Sequence, residues 1–320
     1  MSTSFASALN AAKEAAGAQN YPQGALYIVA TPIGNLADIT LRALHVLQIA
    51  DNIACEDTRH TQQMLRAYGL DKSGQQLLAV HQHNEAERAS QVIELLQQGK
   101  RVVYVSDAGT PGVSDPGARL CAAVQAAGLR AMPLPGASSV TTAVSVAGIV
   151  SPDAQGFLFA GFLPTKAAER ATVIDKLASE PRAVVLLEAP HRILELSQAL
   201  SVLGDRPVTL AREISKQFEQ ITTHPAHTLV AWLESDSQHS RGEFVVVIHP
   251  ATQTAEHDPK EQQILQLLLA ELPMKTAVKL AAQITGGARN RLYEMALALK
   301  SGSSDPVDDS GENSENSDNH

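Results

Sequence analysis

One stretch constrains the fold of this chain more than any other: Val103-Tyr-Val-Ser-Asp-Ala-Gly-Thr-Pro-Gly-Val-Ser-Asp-Pro-Gly117. The β-branched run over 101–106 predicts a buried strand. A loop with three glycines and two prolines follows, then an Ala-rich helix over 118–127. Strand, glycine-rich loop and helix is the order in which α/β proteins present a ligand-binding edge at the C-terminal ends of parallel strands. Gly109 permits close backbone approach and positive φ, and Pro111 and Pro116 stiffen the loop. Asp107, Thr110, Ser114 and Asp115 supply polar groups. A Gly/Pro loop alone is equally consistent with an ordinary βα connection. Length argues for more, because most such loops need only about 2–6 residues.

The rest of the chain repeats the alternation. Strands are expected over 26–30, 52–55, 77–80 and 129–134, and helices over 41–49, 61–68 and 85–98. Asp38 or Thr40 is placed to cap the first of these helices. Short links between alternating strands and helices predict a mostly parallel sheet covered on both faces. Pro135-Gly-Ala-Ser-Ser-Val140 then opens a helix running to Gly148. Its free backbone N–H groups and two hydroxyls suit a carboxylate or another acceptor, and simple N-capping by Ser138 or Ser139 explains the motif equally well. A second α/β unit follows, with strands over 156–163, 183–187, 207–211 and 242–248 and helices over 166–179, 193–203 and 227–234. Some of its last strands have little helix between them, which predicts a mixed sheet.

Three segments lie outside this pattern. Residues 1–24, rich in Ala, Ser, Gln and Asn, read as a disordered extension with at most a nascent helix over 6–16. Residues 258–300 read as three short amphipathic helices with a Gly286-Gly287 turn, either a helix-turn-helix-like module or a small bundle that only packs. Residues 301–320 read as a disordered acidic tail. The tail bears on the charge. Its six acids (Asp305, Asp308, Asp309, Glu312, Glu315 and Asp318) face no Lys or Arg and supply most of the net −9. The helical segment is slightly basic, which is compatible with RNA without establishing it.

No apolar run approaches the roughly 18 residues of a membrane helix, and no secretory signal pattern opens the chain. Cys55 and Cys121 make neither a disulfide framework nor a zinc pattern. A reducing, cytoplasmic setting is expected, with no membrane. There is no Walker A motif, no Gly-x-Ser-x-Gly elbow and no Gly-x-Gly-x-x-Gly after the first strand. The histidines, with His81 and His83 closest together, have no nearby ligand cluster, so no metal is expected.

Polar residues do gather after strand ends: Glu56, Asp57 and Arg59; His81 and His83; Asp107; Glu188, His191 and Arg192; Arg212, Glu213 and Lys216. Each group alone is an ordinary surface feature. Their recurrence at one topological place predicts a single cleft between two domains.

With these segments in order, the chain resembles the tetrapyrrole methylase superfamily and, within it, the ribosomal RNA small subunit methyltransferase I family. The resemblance rests on Leu26-Tyr-Ile-Val-Ala-Thr-Pro-Ile-Gly-Asn-Leu36, Cys55-Glu-Asp-Thr-Arg59, the stretch 105–117, Pro135-Gly-Ala-Ser-Ser139, Phe159-Ala-Gly-Phe-Leu-Pro164, Glu188-Ala-Pro-His-Arg192, Ala211-Arg-Glu-Ile-Ser-Lys216 and Gly242-Glu-Phe244. It implies an α/β protein of two domains, 25–135 and 136–251, with the cofactor in the cleft between them. The implied cofactor is S-adenosylmethionine. The implied reaction is 2′-O-ribose methylation of a decoding-centre cytidine in 16S rRNA by a cytoplasmic homodimer.

By motif position the resemblance assigns cofactor contact to Ile33, Asp107, Thr110, Val113, Ser138 and Ser139, with Gly109 admitting the methionine moiety. Glu188, Ala211 and Phe244 follow from the second domain. Methyl transfer to a hydroxyl is largely an orientation task, helped by a base and a cation facing the developing alkoxide. Asp57 or Glu56 is the candidate base. Arg59 and Lys216 are the candidate cations. Lys275, Lys279, Arg289 and Arg291 of the helical module are candidates for RNA phosphates. The alternatives are methylation of a tetrapyrrole or a protein side chain, and a non-catalytic RNA-binding or ribosome-assembly protein.

Overall fold

The computed structural model describes residues 5–81, 84–150, 156–251 and 259–301. The chain forms two units, Met1–Thr252 and Gln253–His320. The first unit opens with α1 (Ala6–Ala16). Five strands then make its first sheet: β1 (Ala25–Val29), β2 (Asn52–Cys55), β3 (Leu77–Ala79), β4 (Val102–Val105) and β5 (Arg130–Leu134). Their order is β3-β2-β4-β1-β5, and every pair is parallel. The covering helices are α2 (Leu41–Ile49), α3 (Thr58–Ala67), α4 (Glu85–Gln97) and α5 (Gly117–Ala126). Side chains on a strand alternate between faces. Tyr27, Ile53 and Val103 therefore join Leu44, Leu47 and Leu65 in one core, while Leu26, Val102 and Tyr104 join Val92, Leu96 and Leu120 in another. Burial on both faces explains why β4 is apolar throughout.

A helix α6 (Ser139–Val146) leads to the second sheet. Its strands are β6 (Phe157–Gly161), β7 (Ala183–Glu188), β8 (Pro207–Arg212), β9 (Gln220–Pro225) and β10 (Phe244–Ile248), in the order β6-β7-β10-β8-β9. Only β6 and β7 run parallel, so the sheet is mixed as expected. The helices α7 (Ala167–Ala178), α8 (Ile193–Leu200) and α9 (Leu229–Ser235) pack over a core that includes Ile174, Leu186, Leu196 and Leu233.

Several expectations need correction. Residues 1–24 are not a disordered extension over their described part. Ala12 and Ala16 are buried in α1, and the Phe5 ring meets Tyr68 edge-on at 5.2 Å. The small Ala8, Ala12 and Ala16 lie on one face at i, i+4 spacing, which lets the helix settle onto the body. The strand β9 was not expected, because Gln-Ile-Thr-Thr-His-Pro offers one apolar residue. It is an edge strand, held by its ladder to β8 rather than by burial. Helix α3 begins at Thr58 rather than at residue 61, for a reason that belongs to the site. His83 and the acidic tail beyond residue 301 lie outside the described residues.

The second unit contains α10 (Pro259–Glu271), α11 (Met274–Thr285) and α12 (Arg289–Ser301) around Leu265, Val278, Ala281, Leu292 and Met295. Gly286, at φ 75°, closes α11 in the left-handed conformation.

Candidate active site

The strand order places the site. Strand β4 lies parallel against β1, so the loops that follow them emerge together. Thr31 and Gly109 fasten the two loops with a pair of backbone hydrogen bonds, each 3.0 Å. Gly109 sits at φ 79°, and a Cβ there would come within 3.3 Å of the Ile33 methyl. Asp115 folds the remainder of the long loop. It accepts from the Gly112 and Gly117 N–H groups at 2.6 and 2.8 Å and from the Tyr104 hydroxyl at 3.1 Å. The Thr110 hydroxyl donates to Ala137 O at 2.9 Å, which ties this loop to the turn before α6. Ser138 is the N-cap of that helix, yet its side chain makes no capping hydrogen bond. Capping therefore does not account for the Ser-Ser pair.

Three cavities join around these loops. The first, about 130 Å³, is lined by Glu56, Asp107, Gly109, Thr110, Val113, Ser138 and Ser139. The second, about 320 Å³, reaches the other sheet and takes in Ile33, Ser139, Glu188, Ala211, Lys216 and Phe244. A third, about 450 Å³, shares Ile33, Asp107 and Lys216 with them. Every residue to which the family resemblance assigned cofactor contact lines the first or second cavity, and so do Glu56 and Lys216. Asp57 and Arg59 line none of the three.

The neighbours Glu56 and Asp57 have opposite surroundings. Asp57 is the N-cap of α3, accepting from the Arg59 and His60 N–H groups at 2.7 and 3.4 Å. This cap starts the helix three residues early. Those backbone hydrogen bonds hold its carboxyl below the usual aspartate range. Arg59 lies 3.7 Å from Asp57 and its side chain is 93% exposed. Glu56 instead faces the first cavity beside Asp107 and Asp115. Burial pushes its pKa up, and those two carboxylates push it further.

On the opposite wall, Glu188 ends β7 with a fully buried side chain. Its Oε1 accepts from the Ala189 N–H at 2.8 Å and lies 3.2 Å from Arg192. Its Oε2 is buried without a partner. An unmatched carboxylate oxygen on a cavity wall is costly unless a ligand donor meets it.

Lys216 is held between two carboxylates, 2.8 Å from Glu213 and 2.9 Å from Glu243. Burial draws its pKa down, but the hydrogen bonds and charges of both partners outweigh it and keep the ammonium above the usual lysine range. Burial likewise raises Glu213, but the bonds from Lys216 and the Glu243 N–H win and lower it. The turn that delivers Lys216 is strained, with Glu213 and Ser215 at φ 51° and 65°. It packs so tightly on the β1 loop that a Cβ at Gly34 would lie 2.5 Å from Lys216 Cγ.

Sequence reasoning did not find the third cavity's α3 wall, formed by His60, Gln63, Met64 and Ala67. Their i, i+3, i+4, i+7 spacing was the available signal. In the second unit, Arg291 does not join the other cations. It pairs with the buried Glu261. Lys275, Lys279 and Arg289 line a groove with Asn290 and Tyr293.

Residues 25–230 match the family described as Tetrapyrrole (Corrin/Porphyrin) Methylases, and residues 255–300 match the RsmI C-terminal HTH domain. Ribosomal RNA small subunit methyltransferase I of Neisseria meningitidis serogroup B is 46% identical over 87% of this chain and 94% of its own length. The protein of the same name from Escherichia coli O157:H7 is 44% identical over 86% and 95%. Among solved structures, uroporphyrin-III-C-methyltransferase from Thermus thermophilus aligns with a TM-score of 0.51 at 22% identity, over 71% of this chain and 94% of that one. Diphthine synthase aligns with a TM-score of 0.54 at 15% identity, over 71% and 90%. At such identities these structures speak for the fold alone.

Proposed function

The chain belongs to the tetrapyrrole methylase family and, within it, to the ribosomal RNA small subunit methyltransferase I group, and from that premise we propose that it is an S-adenosylmethionine-dependent methyltransferase of small-subunit rRNA. More narrowly, the proposed acceptor is the ribose 2′-hydroxyl of a decoding-centre cytidine in 16S rRNA. The enzyme acts in this reading as a cytoplasmic homodimer. Among the described residues no helix is long and apolar enough to cross a membrane.

The observation that carries the proposal is the joined cleft, whose chemistry fits this cofactor. The carboxylates of Glu56, Asp107 and Asp115 line a small cavity suited to a cationic ligand. The unmatched Glu188 Oε2 suits a hydroxyl or amino donor. Gly109 leaves room beside Ile33 that a side chain would fill. Ser138 and Ser139 offer hydroxyls at the start of α6, while Ala211 and Phe244 give the second cavity an apolar wall. S-adenosylmethionine, when bound, supplies an electrophilic methyl group.

The protein's own task is to orient the acceptor hydroxyl and manage its proton. Glu56, with its raised pKa, is better suited than Asp57 to receive that proton. Asp57 is engaged at the helix cap. Lys216 stays charged and faces two cavities, where it favours a developing alkoxide or a phosphate. Arg59 is a solvent-exposed cation for the RNA backbone. In the second unit, Lys275, Lys279 and Arg289 take the same role around their groove.

The test is calorimetric titration of S-adenosylmethionine into the protein and into Gly109→Arg, followed by mapping of methyl groups on small-subunit RNA. The expected result is binding that the substitution abolishes, with one methylated ribose in 16S rRNA. Absence of binding to the unaltered protein, or a methyl group placed on a base, would refute the corresponding part of the reading.

A further inference from the structure

The third cavity has a wall that the cofactor residues do not explain. Helix α3 presents two faces. Thr61 and Leu65 turn into the core. His60, Gln63 and Ala67 turn toward the cavity, opposite Pro32 and Leu36 of the loop after β1, and Met64, itself buried in that core, reaches the cavity edge. Among the described residues, neither the His60 ring nor the Gln63 amide has a hydrogen-bond partner, and both are exposed. The wall is therefore apolar at Pro32, Leu36, Met64 and Ala67, with two exposed polar groups on one helix turn, of which His60 also lies in the field of Asp57. At about 450 Å³ the cavity is of small-molecule size. It meets the second cavity at Ile33, Ala108, Lys216 and Glu243. Whatever occupies it would lie next to Lys216.

This combination suits one flat heteroaromatic group carrying donors and acceptors on its edge. Enzymes that modify RNA reach such groups in unstacked nucleotides, gripping the base between apolar side chains and reading its edge with hydrogen bonds. We infer that the cavity between the β1 loop and α3 is the pocket for a single extruded nucleoside of the RNA, with Gln63 and His60 hydrogen-bonding the edge of its base. The inference rests on the methyltransferase reading above and adds to it the residues that receive the target nucleotide. Lys216, on the shared wall, then faces the ribose side.

The experiment compares the unaltered protein with His60→Ala/Gln63→Ala. Both residues are exposed, so the fold should survive, and a melting curve checks this. Two readouts are needed: calorimetric binding of S-adenosylmethionine, and methyl transfer to reconstituted small-subunit particles carrying either the intact target nucleotide or an abasic ribose there. The unaltered protein should prefer the intact nucleotide by about ten-fold in kcat/KM, the scale of one or two lost hydrogen bonds. The double variant should lose most of that preference and bind S-adenosylmethionine unchanged. A variant that keeps the full preference would overturn the pocket and leave the proposed function standing. An unaltered protein that binds S-adenosylmethionine but transfers nothing to the intact particle would overturn the RNA function, and the pocket with it.

Discussion

Alanine at Gly34 would test how tightly the two walls of the cleft are fitted. The added Cβ would lie 2.5 Å from Lys216 Cγ, 2.9 Å from Ser215 Oγ and 3.0 Å from Ile214 O. Reaching ordinary contact requires a shift of about 1 Å. Lys216 cannot simply swing aside, because Glu213 and Glu243 hold its ammonium at 2.8 and 2.9 Å. The Ile214 oxygen is main chain, flanked by residues already at φ 51° and 65°. Overpacking of this kind costs about 1–3 kcal/mol. Removing a glycine from the unfolded chain returns only about 0.4–1 kcal/mol. The clash should win, with a net loss of about 1–2 kcal/mol. For a unit of this size that lowers Tm by roughly 2–8 °C. Gly74→Ala is the matched control, since nothing lies within 4 Å of a Cβ there. Only the unfolded-state term then operates, and Tm should rise slightly. The assay is thermal unfolding of both variants beside the unaltered protein, with methyl transfer measured at 25 °C. The displacement of Lys216 should also slow transfer in Gly34→Ala. A Gly34→Ala protein that melts at or above the unaltered one would refute the reasoning, because it would mean the walls have slack.

Further outcomes follow from the charges. Glu56 has a folded-state pKa above its unfolded value, so its contribution favours folding when protonated and is lost as pH rises through the raised pKa. Glu56→Gln should therefore stabilise the protein at neutral pH and flatten its melting-temperature profile above pH 4.5, while weakening S-adenosylmethionine binding. Asp57 is the reverse case. Its folded pKa is depressed, so its stabilising contribution is present at neutral pH and fades as pH falls below the usual aspartate range. Asp57→Ala should lower Tm at pH 7, with the difference disappearing in acid, and should leave methyl transfer largely intact; an activity loss as deep as that of Glu56→Gln would reverse their roles. In the helical module, Lys275→Glu with Lys279→Glu and Arg289→Glu should weaken RNA binding and flatten its dependence on salt. Arg291→Ala should instead lower the stability of the module by unpairing the buried Glu261, which separate binding and melting measurements would distinguish.

Much of this protein is written locally in its sequence. The apolar run of β4 and the Gly/Pro loop after it are set by residues within a few positions of one another, so the strand, the loop and the helix beyond could be read directly. The loops after β1, β2 and β4 could be placed together in the same way, because parallel strands end on one edge. Tertiary structure decided the rest. Nothing near Ala6–Ala16 says whether that helix finds a surface, yet it packs by its alanines. The strand β9 exists because β8 offers a ladder, not because its own residues call for burial. Glu56 and Asp57 look interchangeable in the sequence, and only the start of α3 sends one to a cap and the other to a cavity. The Lys216 ammonium is held by Glu213 three residues before it and by Glu243 twenty-seven residues beyond, a distance no local pattern spans. Periodicity records that a face is covered or open. It does not record which element covers it, and in this chain that choice sets the chemistry of the cleft.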